Sequence, residues 1–120
     1  MNDERDTAVL TERIAGAKLR DIGARHGLSH EGVRVVADRT GRRHLDDLQR
    51  RLAANVGTDD LEVLLVPDHS GPAFDAAIAY VGWVTHALAE RGVELKVTYR
   101  PAESGVAFGL EDVTTRTEQA

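Results

Sequence analysis

Ser29, His30, Glu31 and Arg34 stand within six residues of one another and bring together a hydroxyl, an imidazole, a carboxylate and a guanidinium. On the first turns of a helix these groups can address base edges in a major groove. An arginine fork matches the paired acceptors of guanine, and a carboxylate accepts from cytosine or steadies a neighbouring arginine. Lys18, Arg20, Arg39, Arg42 and Arg43 flank this group. They suit phosphate contacts, which orient a protein on a duplex without reading its sequence. Other chemistry finds less support. His26 and His30 straddle a turn in a chain without cysteine, so no metal site is expected. Asp68-His69-Ser70 holds the residue types of a hydrolytic triad, but adjacent side chains point apart and cannot form the relay. With no titratable pair in a catalytic frame, neither an enzyme nor a cofactor is expected.

The elements that must position these residues follow from turn chemistry. Gly27 lies where a helix over about Lys18 to His26 has to stop, and glycine accepts the left-handed backbone of such a turn. Ser29 then caps the next helix, expected over His30 to Arg39. Gly23 is small enough for that helix to pass close by, and Ile22, Leu28, Val33 and Val36 supply apolar pins between the two. Gly32 allows close backbone approach but offers no reading side chain. A preceding helix over about Thr7 to Ala15, with Leu10 and Ile14 on one face, would buttress the pair, and the polar residues 1 to 6 are expected to fray.

Leu19, Ile22, Gly27, Leu28, Ser29, Val33 and Arg34 together resemble the helix-turn-helix of the promoter-reading domain at the C-terminal end of bacterial sigma factors, and of the regulators that share its pattern. The resemblance covers roughly a quarter of the chain and marks a module. It implies a helix-turn-helix fold and contact with double-stranded DNA.

The 120-residue chain carries a net charge of −5, which alone would argue against nucleic acid. The average conceals two halves of opposite sign. Residues 1 to 56 hold 11 basic and 9 acidic side chains, a net of +2, and residues 57 to 120 hold 4 and 11, a net of −7. Within 13 to 43 the balance is 8 against 3, or +5. Phosphates respond to the local field, screened over about 10 Å at ordinary salt, so the local excess matters more than the total. The absence of cysteine excludes a disulfide framework, and the charged MNDERDT start lacks a signal-peptide core, so a cytoplasmic protein without a membrane partner is expected.

Thr40-Gly41 is read as a break, followed by a fourth helix with Leu45, Leu48, Leu52 and Val56 in one stripe. Gly57-Thr58-Asp59-Asp60 is the expected boundary between domains 1–56 and 57–120. The second half reads as β-α-β-β. A short apolar strand at 61–66 precedes a helix with Ser70 near its cap, Pro72 in its first turn and Gly92 at its end; alternating strands follow around Val93 to Tyr99 and Val106 to Leu110, then a disordered tail from about Thr114. The fold class is therefore α+β, an N-terminal helix-turn-helix domain with a small β-α-β-β domain.

This half is expected to dimerise. Its helix is apolar on both sides, with Phe74, Ile78, Val81 and Leu88 opposite Tyr80 and Trp83. Its first strand is apolar on both faces, yet it can only be an edge. Leu64, Val66, Tyr80 and Trp83 are the expected interface residues. The function this implies is a homodimeric, repressor-like transcriptional regulator that reads the major groove with residues 30–39. The alternatives are an interaction protein docking on RNA polymerase or another regulator, and a DNA-binding accessory of a phage or mobile element.

Overall fold

A computed structural model describes residues 3–58, 61–103 and 105–114. Among them the fold is α+β, in the order α1 (Asp3–Ile14), α2 (Leu19–His26), α3 (His30–Asn55), β1 (Glu62–Val66), α4 (Pro72–Glu90), β2 (Leu95–Ala102) and β3 (Gly105–Asp112). Two compact units divide the chain, Met1–Asp46 and Asp47–Ala120. The division falls inside α3, upstream of the expected boundary around Gly57, of which Asp59 and Asp60 lie outside the described residues.

The first unit is built on Val9, Ile22, Val33 and Val36, with Ala17, Leu19, Leu28 and Ala37 packed around them. Helix α1 starts at Asp3 rather than Thr7, so residues 3 to 6 are helical where fraying was expected. The acidic first turn of Asp3, Glu4 and Asp6 favours this start by complementing the helix dipole. Asp6 is buried and neutralised, accepting from Arg5 Nη2 at 3.1 Å and from Arg39 Nη2 at 3.4 Å. Of the apolar residues of α1, Val9 takes the core position, while Leu10 and Ile14 are half-buried.

Thr40-Gly41 does not break the chain, and the two helices expected on either side of it form one helix of 26 residues. A glycine inside a helix costs about 1 kcal/mol, too little to end one whose buried face continues on both sides. Here Val33, Val36, Leu45, Leu48 and Leu52 keep that helical spacing through the glycine. The last turns belong to the second unit, where Arg51 Nε donates to Glu62 at 3.1 Å and Arg91 Nη1 donates to Gln49 at 3.2 Å.

In the second unit the strands lie in the order β1-β3-β2, all neighbours antiparallel. Leu64, Phe108 and Tyr99 share one register row, and Val66, Val106 and Pro101 share the next row on the same face. This face meets α4, giving a core of Val66, Ala77, Val106 and Phe108 with Leu64, Phe74, Val81 and Val97 against it. Phe74 and Phe108 bring their ring centroids to 6.4 Å. Ile78, expected on the packed side of α4, is exposed. Pro72 opens α4 as expected, but Gly71 and not Ser70 holds the cap position, with no side-chain hydrogen bond there. Proline at the first helical position removes one of the unpaired N–H groups of the helix start and presets its φ. The second strand, expected to end near Tyr99, continues through Pro101 to Ala102 before the chain returns at Gly105. The expected tail beyond Thr114 lies outside the described residues. Among the described residues no helix is long and apolar enough to cross a membrane.

Candidate nucleic-acid interface

The turn between α2 and α3 is built from three small residues, each for a different reason. Gly27 adopts φ 69° and ψ 35°, the left-handed conformation that ends α2. Leu28 N–H then returns to the Gly23 carbonyl at 2.9 Å. Gly23 is packed under the turn, where an added Cβ would lie 2.3 Å from the Leu28 carbonyl oxygen. Ser29 caps α3, its Oγ accepting the Gly32 N–H at 3.0 Å. Ile22, Val33 and Val36 are buried and Leu28 packs against them, so the apolar pins meet as their spacing implies.

Burying Val33 and Val36 fixes what the opposite side of α3 presents. Ser29, His30, Glu31 and Arg34 all emerge exposed at its N-terminal end. No ion pair joins Glu31 to Arg34 among the described residues, so the guanidinium keeps all its donors. Farther along, Val35, Asp38, Arg39, Arg42, Arg43 and Asp46 line a shallow surface concavity. Val35 is 50% exposed there and was missed by sequence reasoning, although its place between the two core valines already puts it off the buried stripe. An exposed valine beside basic side chains can touch a thymine methyl group.

The five residues expected at phosphates fall into two groups. Arg39 is tied to Asp6 and Arg42 to Asp38 on the next turn of the same helix. Lys18, Arg20 and Arg43 make no ion pair among the described residues. Arg25, part of the local basic excess, is likewise held by Glu12 at 2.7 Å. Of the eight cations between residues 13 and 43, the field available to a polyanion therefore comes mainly from Arg13, Lys18, Arg20, Arg34 and Arg43.

Glu12 joins α1 to α2, accepting from Arg25 Nε and Nη2 at 2.9 and 2.7 Å and meeting His26 Nε2 at 2.9 Å. The His26 hydrogen bond, aided by Arg25, holds the Glu12 carboxyl below its usual range despite partial burial. A carboxylate depressed in the folded state adds stability above its unfolded pKa of about 4.3, and that stability is lost as pH falls through the folded value. Glu12→Gln should therefore lower the thermal midpoint at neutral pH and flatten its decline below about pH 4.3. An unchanged acid limb in a pH series of melting curves would show that this cluster contributes nothing.

The residues expected at a dimer interface are divided by the fold. Leu64 and Val66 turn toward the core of their own unit, Val66 buried and Leu64 half-buried. Tyr80 and Trp83 are half-buried on α4 with ring centroids 6.3 Å apart, and burial pushes the Tyr80 phenol above its ordinary value. The exposed residues of β1 are Val63 and Leu65. Among the described residues no group of His, Asp and Glu lies together that could hold a metal ion. The chain matches no protein-family model, no curated protein and no solved structure.

Proposed function

We propose that α2, its turn and the start of α3 form a helix-turn-helix that reads double-stranded DNA, in a homodimeric, repressor-like transcriptional regulator. One observation carries the reading. The Gly23–Gly27–Ser29 turn packs Val33 and Val36 inward and thereby sets Ser29, His30, Glu31 and Arg34 side by side on exposed turns of α3. In this reading Arg34 donates its fork to guanine, Glu31 accepts from cytosine, and Lys18, Arg20 and Arg43 hold phosphates. A two-fold dimer would meet two half-sites about 34–36 Å apart, one helical turn of the duplex.

Selection of bound sequences from a random duplex pool tests this. A palindromic site is expected. Arg34→Ala should cost about 1 to 3 kcal/mol on that site and relax preference at one base pair in each half, whereas Arg43→Ala should weaken all sequences alike and lower the salt slope by about one. If both variants bind the selected site as the parent does, this docking is wrong.

A second reading, docking on RNA polymerase or another regulator, is favoured by the acidic residues Glu31, Asp38 and Asp46 interleaved with the arginines of α3. Co-purification with polymerase in the absence of DNA, with retention on random duplex that hardly varies with salt, would select it.

A further inference from the structure

The two edges of the sheet differ in kind. Strand β2 carries Lys96, Arg100 and Pro101, charges and a proline of the sort that keep an edge from pairing with another chain. Strand β1 carries none of these. Its one charge, Glu62, is at the end of the strand and already held by Arg51 at 3.1 Å. Between Glu62 and Val66 the strand is wholly apolar, and Val63 and Leu65 are 57% and 71% exposed. The register puts Val63 in the row of Gly109 and Thr98, and Leu65 in the row of Ala107 and Arg100, so both stand on the face away from the core residues Leu64 and Val66.

We propose that β1 is the dimerisation strand, pairing antiparallel with β1 of a second copy about a two-fold axis at Leu64 and joining the two sheets into one. The inference rests on the homodimeric part of the function proposed above and supplies its interface. Centring on Leu64 is the antiparallel register in which every one of the five residues of β1 finds a partner. Because side chains alternate with a period of two, it also keeps like faces together, with both core faces on one side of the joined sheet. Val63 then stands opposite the partner's Leu65, and Leu64 opposite the partner's Leu64. Glu62 falls opposite the partner's Val66, so no like charges meet across the joint.

This self-complementarity selects a second copy as the occupant. A two-fold contact requires one surface to fit itself, and VLL at 63–65 between a neutralised end and Pro67 does so. Lys96 and Arg100 lie on the far edge of each sheet and stay away from the joint. A five-residue strand pair buries less than the roughly 1,200 Å² of standard stable interfaces, so self-association on the order of micromolar is expected.

The chain has no cysteine, which makes cross-linking specific. Opposed residues have Cα atoms about 4.5–5.5 Å apart, within the span of a disulfide, whereas diagonal neighbours at about 7–8 Å are beyond it. An equimolar mixture of full-length Val63→Cys and Leu65→Cys should therefore form disulfide-linked dimers on mild oxidation, and either variant alone about ten-fold less. Leu65→Lys, on an exposed side chain, should keep the parental circular dichroism and weaken self-association at least about ten-fold by sedimentation. A parent with the mass of one chain at 100 μM would overturn both this interface and the homodimer. A parent with the mass of two chains, unaltered by Leu65→Lys and giving no cross-link in the mixture, would overturn the β1 interface alone. Arg34→Ala tests DNA reading separately from either.

Discussion

Gly23→Ala is expected to destabilise the first unit by about 3 kcal/mol, the upper end of ordinary overpacking costs. Its Cβ would lie 2.3 Å from the Leu28 carbonyl oxygen and 3.3 Å from the carbonyl carbon. Both are backbone atoms of the turn, so no rotamer change relieves the contact. The same turn is tied to Gly23 by the Leu28 N–H hydrogen bond at 2.9 Å, and moving it away would break that bond. Two neighbouring glycines provide the scale. At Gly27 an added methyl group meets nothing within 4 Å, so alanine there pays only for left-handed backbone, about 1 to 2 kcal/mol. At Gly32 the closest atom is Ser29 Oγ at 3.2 Å, which a small shift of the cap can accommodate. Alanine there should be neutral or stabilising by up to about 1 kcal/mol, because it removes a glycine from a helix. Residues 1 to 46 contain no Phe, Tyr or Trp, so urea unfolding is followed by far-ultraviolet circular dichroism. The duplex binding proposed above should weaken with the Gly23→Ala transition, since Ser29 and Arg34 are placed by the same turn. A Gly23→Ala chain as stable as the parent would mean that the Leu28 backbone does not approach Gly23 this closely.

The turn was legible in the sequence because its requirements are local. A left-handed residue, a cap two positions later and apolar pins at helical spacing fall within the fifteen residues from 22 to 36, and Gly27, Ser29, Ile22, Val33 and Val36 meet them in place. What depended on distant partners was not. The burial of Asp6 needs Arg39, 33 residues away, and the Glu12 cluster needs Arg25 and His26 from the next helix. Neither pairing has a spacing rule. The continuity of α3 was missed because Thr40-Gly41 has the composition of a turn, while the buried stripe running through it outweighs one glycine. For β1, apolar residues on both faces announced exposure somewhere but left the parity open. A one-residue change in register exchanges Leu64 and Val66 with Val63 and Leu65, and only the pairing with β3 decides which pair turns inward. The candidate base-reading residues could be named from the sequence, but not which of the surrounding cations are already paired.

Gly105→Ala is expected to have the larger effect, because conformation and space are both forbidding. Gly105 adopts φ +150°, where side chains other than hydrogen are strained by about 1 to 3 kcal/mol. Its Cβ would also lie 1.9 Å from the Val66 carbonyl oxygen and 2.9 Å from both Pro67 Cα and its carbonyl carbon. All of these are backbone, at the end of β1 where Val66 pairs with Val106. Relief requires β1 to move off β3, and that would expose Val66 and Val106, two of the buried residues of this core. The combined loss should be at least about 3 kcal/mol, a large share of the 5–15 kcal/mol that holds a typical domain folded. Trp83, the one tryptophan of the chain, lies on α4 in this unit, so its fluorescence reports the transition. Gly82→Ala supplies a control of opposite sign in the same unit. It lies within α4 with nothing inside 4 Å of an added Cβ, and alanine there should stabilise by about 0.8 to 1 kcal/mol. Gly105→Ala should also abolish the mass of two chains, since displacing β1 removes the edge proposed to pair with the second copy. A Gly105→Ala chain that unfolds with the parental Trp83 midpoint would show that β1 and β3 do not meet in this register.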